Sequence, residues 1–109
     1  QGMNVYVDLR RRDAGPELMV EAGLWQRADH VVTRARGWRR AGMIECDSTM
    51  TRDTEADVVV LRLTGDCLPE RHARARVAVL TYESSDDGVE SDWQTARRTF
   101  GPWVARGAA

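Results

Sequence analysis

The run Asp57-Val58-Val59-Val60-Leu61-Arg62-Leu63 constrains this chain most. Three consecutive valines are stiff at χ1 and pack well on a pleated surface, so the run reads as a strand. Val5-Tyr6-Val7-Asp8-Leu9 alternates apolar and mixed residues, the period-2 mark of a strand with one buried face. Val77–Tyr82 reads as a further strand. Trp38–Met50 reads as a strand in its second half, with Ile44, Cys46, Ser48 and Met50 on one face and Glu45, Asp47 and Thr49 on the other. Thr51–Ala56 is then a polar connection of hairpin length.

The segments between these strands carry helical spacing. From Glu17 to about Gly37, apolar residues fall at Leu18, Ala22, Trp25, Ala28, Val32 and Ala35, which follows one helical face. Pro16 and Glu17 suit its first turn, Gly37 suits its C-cap, and Gly23 could divide it in two. Pro69–Ala75 could form two turns, and Ser91 could cap a final helix through Trp93, Ala96 and Phe100. The expected fold is an α+β, ferredoxin-like domain over residues 3–109, βαββαβ plus a C-terminal helix. A single antiparallel sheet would carry its helices on one face. If residues 66–76 are not helical, the order becomes β-α-β-β-β-α.

Composition sets the outer bounds. The 109 residues make about one domain. They hold 16 basic and 17 acidic residues with 42% apolar content, a globular mixture. No apolar run approaches the ~18 residues that span a bilayer. Gln1-Gly2-Met3 shows no charged segment leading into an apolar one, so no secretory signal is expected. Gln1-Gly2 reads as the scar of a removed tag before a natural start at Met3. All basic residues are Arg, most simply a codon preference of a GC-rich bacterial genome.

With no signal, Cys46 and Cys67 read as reduced thiols of a cytoplasmic protein. Neither lies at paired zinc-ligand spacing with His30 or His72, so no metal is expected. No phosphate-cradling or dinucleotide loop and no nucleophile elbow is present, so no cofactor is expected. His72, beside Asp66, Cys67 and Arg71, is the better general-base candidate, and any chemistry would involve His72 or Tyr82. Asp8, Glu45 and Asp47 could converge on adjacent strands, as an acid–base set or as ion-pair partners of Arg10 and Arg62.

Four Trp beside one Phe are an unusual aromatic set. A helix–sheet cavity lined by Trp25, Met43, Met50 and Trp93 would receive a small hydrophobic or aromatic molecule for binding or turnover. Bacterial secondary metabolism is a fitting setting for that activity. The opposite sheet face would show Tyr6, Asp8, Arg10, Val58, Val60, Arg62 and Tyr82, and could join two copies as a homodimer. Residues 10–40 hold eight Arg and four acids (+4), whereas residues 41–70 hold two Arg and seven acids (−5). Arg34, Arg36, Trp38, Arg39 and Arg40, with Arg62, form the alternative surface, one that would hold an acidic partner without catalysis. The net charge of −1 weighs against general nucleic-acid affinity.

Gly37-Trp38 to Leu63 also resembles, in outline, the cofactor-independent antibiotic-biosynthesis monooxygenases and other dimeric α/β-barrel proteins. The likeness lies in the order helix, Gly-aromatic, strand, polar turn, strand, over about a quarter of the chain. It implies a dimeric barrel and no particular site residue.

Overall fold

A computed structural model describes residues 1–9, 15–24, 29–53, 55–56, 58–64, 66–68, 74–85, 88–94 and 96–105. In chain order the strands are β1 (Gly2–Asp8), β2 (Leu18–Gly23), β3 (His30–Arg36), β4 (Arg39–Met43), β5 (Ser48–Asp53), β6 (Val58–Leu63), β7 (Arg74–Ser85), β8 (Gly88–Trp93) and β9 (Val104–Ala105). One seven-stranded sheet has the order β4-β3-β2-β1-β7-β8, with β9 against the start of β7; β5 and β6 form a separate hairpin. Every pairing is antiparallel.

The described residues contain no helix, so the α+β ferredoxin-like expectation and the likeness to dimeric α/β barrels are overturned. Leu18, Val20 and Ala22 also satisfy a period of two, and in β2 all three are buried against β1 and β3. Val31, Val32 and Thr33 are β-branched and favour the neighbouring strand. Gly23 ends a strand; it neither divides nor interrupts a helix. Gly37, with φ of +62°, turns β3 into β4 instead of closing a helix. Ser91 and Trp93 belong to β8, so the expected final helix is absent from its described part. Residues 69–73, the core of the short expected helix, lie outside the described residues.

β1 shows how alternation builds both faces. Val5, Val7 and Leu9 join Leu18, Val20 and Val32 in one aliphatic cluster, while Tyr6 and Asp8 turn the other way. Burying a side chain such as Val20, which has no exposed surface, stabilises the fold by roughly 1.5–3 kcal/mol. The cover over that cluster is not helical. Ile44, Cys46, Met50, Leu61 and Leu63 pack onto it from the β5–β6 hairpin and its approach. Ile44, Cys46 and Met50, expected to share one face of a strand, do point to the same apolar cluster, but with Leu61 and Leu63 they form a second layer over the sheet, not a part of it.

Cys46 and Cys67 are joined by a disulfide across the base of this hairpin, which corrects the expectation of reduced thiols. Thr64 supports the same base, its amide and hydroxyl both donating to the Asp47 carbonyl (3.2 and 2.8 Å). Two contacts seat β5 over the β2–β3 side: His30 Nε2 meets Ser48 Oγ at 2.7 Å, and Arg52 Nε donates to the Gly23 carbonyl at 2.9 Å. β1 begins at Gly2, where an added Cβ would run into the Tyr82 ring. Among the described residues, no helix is long and apolar enough to cross a membrane.

Candidate functional site

The face opposite the hairpin carries the aromatic side chains. Tyr6 reaches it by alternation in β1, and Trp93 lies across from Leu80 at the end of β8. Trp38 is delivered by the Gly37-Trp38 turn. The Tyr6 and Trp38 ring centroids are 5.0 Å apart, edge to face. Trp93 lies 5.7 Å from each, stacked on Tyr6 and perpendicular to Trp38. Phe100 stacks on Trp38 at 5.0 Å, placed by the Gly101 amide donating to the Val77 carbonyl. Offset and edge-to-face pairs of this kind are each worth about 0.5–1.5 kcal/mol beyond their burial.

Tyr6, Trp38 and Trp93 line an open pocket of about 500 Å³. Leu80 and Ser91 contribute to its wall, and Arg97 and Arg98 to its rim. Arg98 has φ of 54°, in the left-handed region that non-glycine residues rarely adopt. Such strain concentrates at functional sites.

Beside the rings lies an ionic cluster. Asp8 is wholly buried, and its Oδ2 accepts from Arg76 Nε at 2.6 Å. The Arg76 guanidinium lies over the Phe100 and Trp103 rings, 4.6 and 4.9 Å from their centroids. Glu17 Oε2 accepts from the Leu9 amide at 2.7 Å, and Oε1 is buried. Burial, and then the neighbouring Asp8 carboxyl, push the Glu17 carboxyl up to about 7.

The residues anticipated from sequence are scattered over this frame. Trp25 and His72 lie outside the described residues, as do Arg10 and Arg71. Of the expected ligand pocket, Trp93 sits among the rings, Met50 packs into the aliphatic cluster and Met43 is exposed at the end of β4. These three do not converge, and among the described residues there is no helix to form a helix–sheet cavity. Tyr82 packs on Gly2 and borders a shallow groove with Glu83, Glu90 and Asp92. Arg34, Arg36, Arg39 and Arg40 lie on the β3–β4 hairpin, not at a helix end, and Arg40 pairs with Glu21. Arg62 stands apart from them on β6.

The anticipated carboxylate set also separates. Asp8 lies on the aromatic face, whereas Glu45 and Asp47 border the groove that holds the His30–Ser48 contact. The buried carboxyl pair is Asp8 with Glu17. His30 and Ser48 have the base–nucleophile pairing of acyl transfer, but no described residue orients the second ring nitrogen. No described group of His, Cys, Asp or Glu can hold a metal ion. Tyr6, Glu17, Arg76, Arg97 and Arg98 carry the site and were not anticipated as site residues. Only Tyr6 carried a signal, its place opposite Val5 and Val7 in the alternation. Comparison with protein-family models, curated proteins and solved structures returns no match.

Proposed function

We propose that this chain is a binding protein whose aromatic pocket receives a planar aromatic molecule bearing an anionic group. The observation that carries this reading is the meeting of Tyr6, Trp38 and Trp93 in one open pocket with Arg97 and Arg98 at its rim. Rings supply a low-entropy apolar surface, and guanidiniums match carboxylate or phosphate oxygens in a fork. The small aromatic molecule anticipated from sequence is kept, and its site moves from a helix–sheet gap to the outer sheet face.

Titration of tryptophan fluorescence with indole-3-acetate and with tryptamine tests the proposal. The anionic indole binds, the cationic one does not, and Arg97→Ala/Arg98→Ala weakens binding about tenfold, as expected for loss of charge-assisted hydrogen bonds. Equal binding of the two indoles, or of neither, overturns it.

The alternative surface for an acidic partner rests on Arg34, Arg36 and Arg39, all exposed on a hairpin that ends the sheet. Its mark is binding that weakens steeply with salt and is lost in Arg36→Ala/Arg39→Ala. The Cys46–Cys67 disulfide supports an oxidising compartment over the cytoplasmic setting anticipated from sequence. Thiol alkylation of the protein taken directly from its source cells decides between them: unreacted cysteines mean the oxidised form.

A further inference from the structure

We infer that the free edge of β6 and the apolar cleft beside it form a docking groove for an extended segment of another protein, which adds as a third strand to the β5–β6 hairpin. This site lies on the face opposite the aromatic pocket and stands independently of it.

Among the described residues β6 pairs only with β5, so its outer edge offers a row of peptide groups to a further strand. Proteins usually blunt such an edge with charge, proline or a bulge. Here Val58, Val59 and Val60 are 48%, 37% and 42% exposed, the register is unbroken, and Arg62 is the strand's one charge. Apolar side chains at this exposure weaken solubility unless something covers them.

What lies beside the edge defines the occupant. β5 is seated over β2 and β3, so the free edge of β6 points toward β7 and β8. Between the layers is a cleft of about 360 Å³. Val59, Leu61 and Leu63 line it from the hairpin, and Val5, Val77 and Val79 from the sheet. Val77 is 39% exposed, so the hairpin does not close over it. Further along the same sheet face the floor turns acidic. Alternation from Val77 and Val79 brings Glu83 to that face, and cross-strand pairing adds Glu90 and Asp92.

The complementary segment therefore has apolar side chains at alternate positions, followed by basic ones on the same face. Main-chain hydrogen bonds would give it affinity, and the cleft and the acidic floor would give it specificity. A second copy fits poorly. The two-fold axis that pairs two antiparallel β6 strands stands perpendicular to the hairpin. It drives the β7–β8 floor of each copy into the space of the other's sheet. A lone extended segment brings no floor with it.

The test uses the oxidised full-length chain and the amidated peptide TVTVTKTK, together with its reversed sequence. Hydrogen exchange of the β6 amides is followed by NMR. The expected result is at least tenfold protection of alternate amides in Val58–Leu63 by one of the peptides. Methylating the peptide's alternate backbone nitrogens abolishes it, and replacing its lysines with glutamate weakens binding. Absence of binding at millimolar peptide overturns the proposal. Equal binding of the N-methylated peptide also overturns it, because the cleft would then take apolar groups without strand addition. So does concentration-dependent protection without peptide, which would make a second copy the occupant.

Discussion

The sheet face under the β5–β6 hairpin is aliphatic, its cover closed at the base by a disulfide, whereas the opposite face clusters Tyr6, Trp38, Trp93 and Phe100 beside the ion pair of buried Asp8 with part-exposed Arg76. Valine, leucine and methionine make non-directional contacts, so the first face tolerates a hairpin that leaves a cleft beside it. The second face depends on direction. Arg76 must meet Asp8 on one side and lie over Phe100 and Trp103 on the other. A small chain has little core to spare, and this one uses both kinds of cohesion, one on each side of a single sheet.

Substitutions that strike one face alone test this contrast. Arg76→Met leaves the wholly buried Asp8 carboxylate without this guanidinium, and should cost about 3–5 kcal/mol. Urea denaturation of the oxidised protein measures it. Asp8→Asn/Arg76→Met should recover part of the loss, because the buried position then carries no negative charge.

The hairpin face gives a slightly smaller effect by another route. Replacing Cys46 and Cys67 with alanine opens a loop of 21-residue separation and should lower stability by about 3 kcal/mol, mainly through the unfolded state. A reductant should reproduce the loss in the native chain. The ring contacts on the far side should persist, as a near-ultraviolet circular dichroism spectrum would report.

A third effect depends on pH and belongs to the aromatic side. The Glu17 carboxyl is held at about 7 in the folded chain, against an ordinary 4.5. The folded state therefore keeps a proton that the unfolded state releases. The resulting stabilisation is complete below pH 4.5 and is lost as pH rises through 7. Over that window Glu17→Gln should show the flatter profile in urea midpoints. An unchanged profile would mean that Glu17 ionises freely beside Asp8. The smallest effect is expected at the exposed Arg40–Glu21 pair, where Arg40→Ala should cost under about 1 kcal/mol in the same assay.

Much of the strand framework was legible in the residues. The valine run is β6 and Val77–Tyr82 lies inside β7, but the strand expected through Ile44–Met50 is displaced: β5 spans Ser48–Asp53 and takes in the first half of the polar stretch Thr51–Ala56 expected as the connection. The two-sided character of β1 was also legible, with Val5 and Val7 against Tyr6 and Asp8. The stretch from Glu17 to Gly37 was not. Leu18 and Ala22 satisfy helical spacing and Leu18, Val20 and Ala22 satisfy strand spacing, so spacing does not choose between them, and the β-branched Val31, Val32 and Thr33 are only a weak local preference. The binding pocket was hidden for a related reason. Tyr6, Trp38 and Trp93 meet only because the antiparallel pairings of β1 with β2 and β7, of β2 with β3 and of β7 with β8 bring distant segments to one face.

The sequence by itself determined which residues share a side of each strand. Successive Cβ atoms on an extended backbone must alternate, whatever the partner. Tertiary structure alone decided that Leu18–Gly23 and His30–Arg36 are strands, that the hairpin is a second layer, and that Cys46 meets Cys67 and Arg76 meets Asp8. Those outcomes depend on sheet pairing and burial summed over the whole chain, and no local window contains that sum.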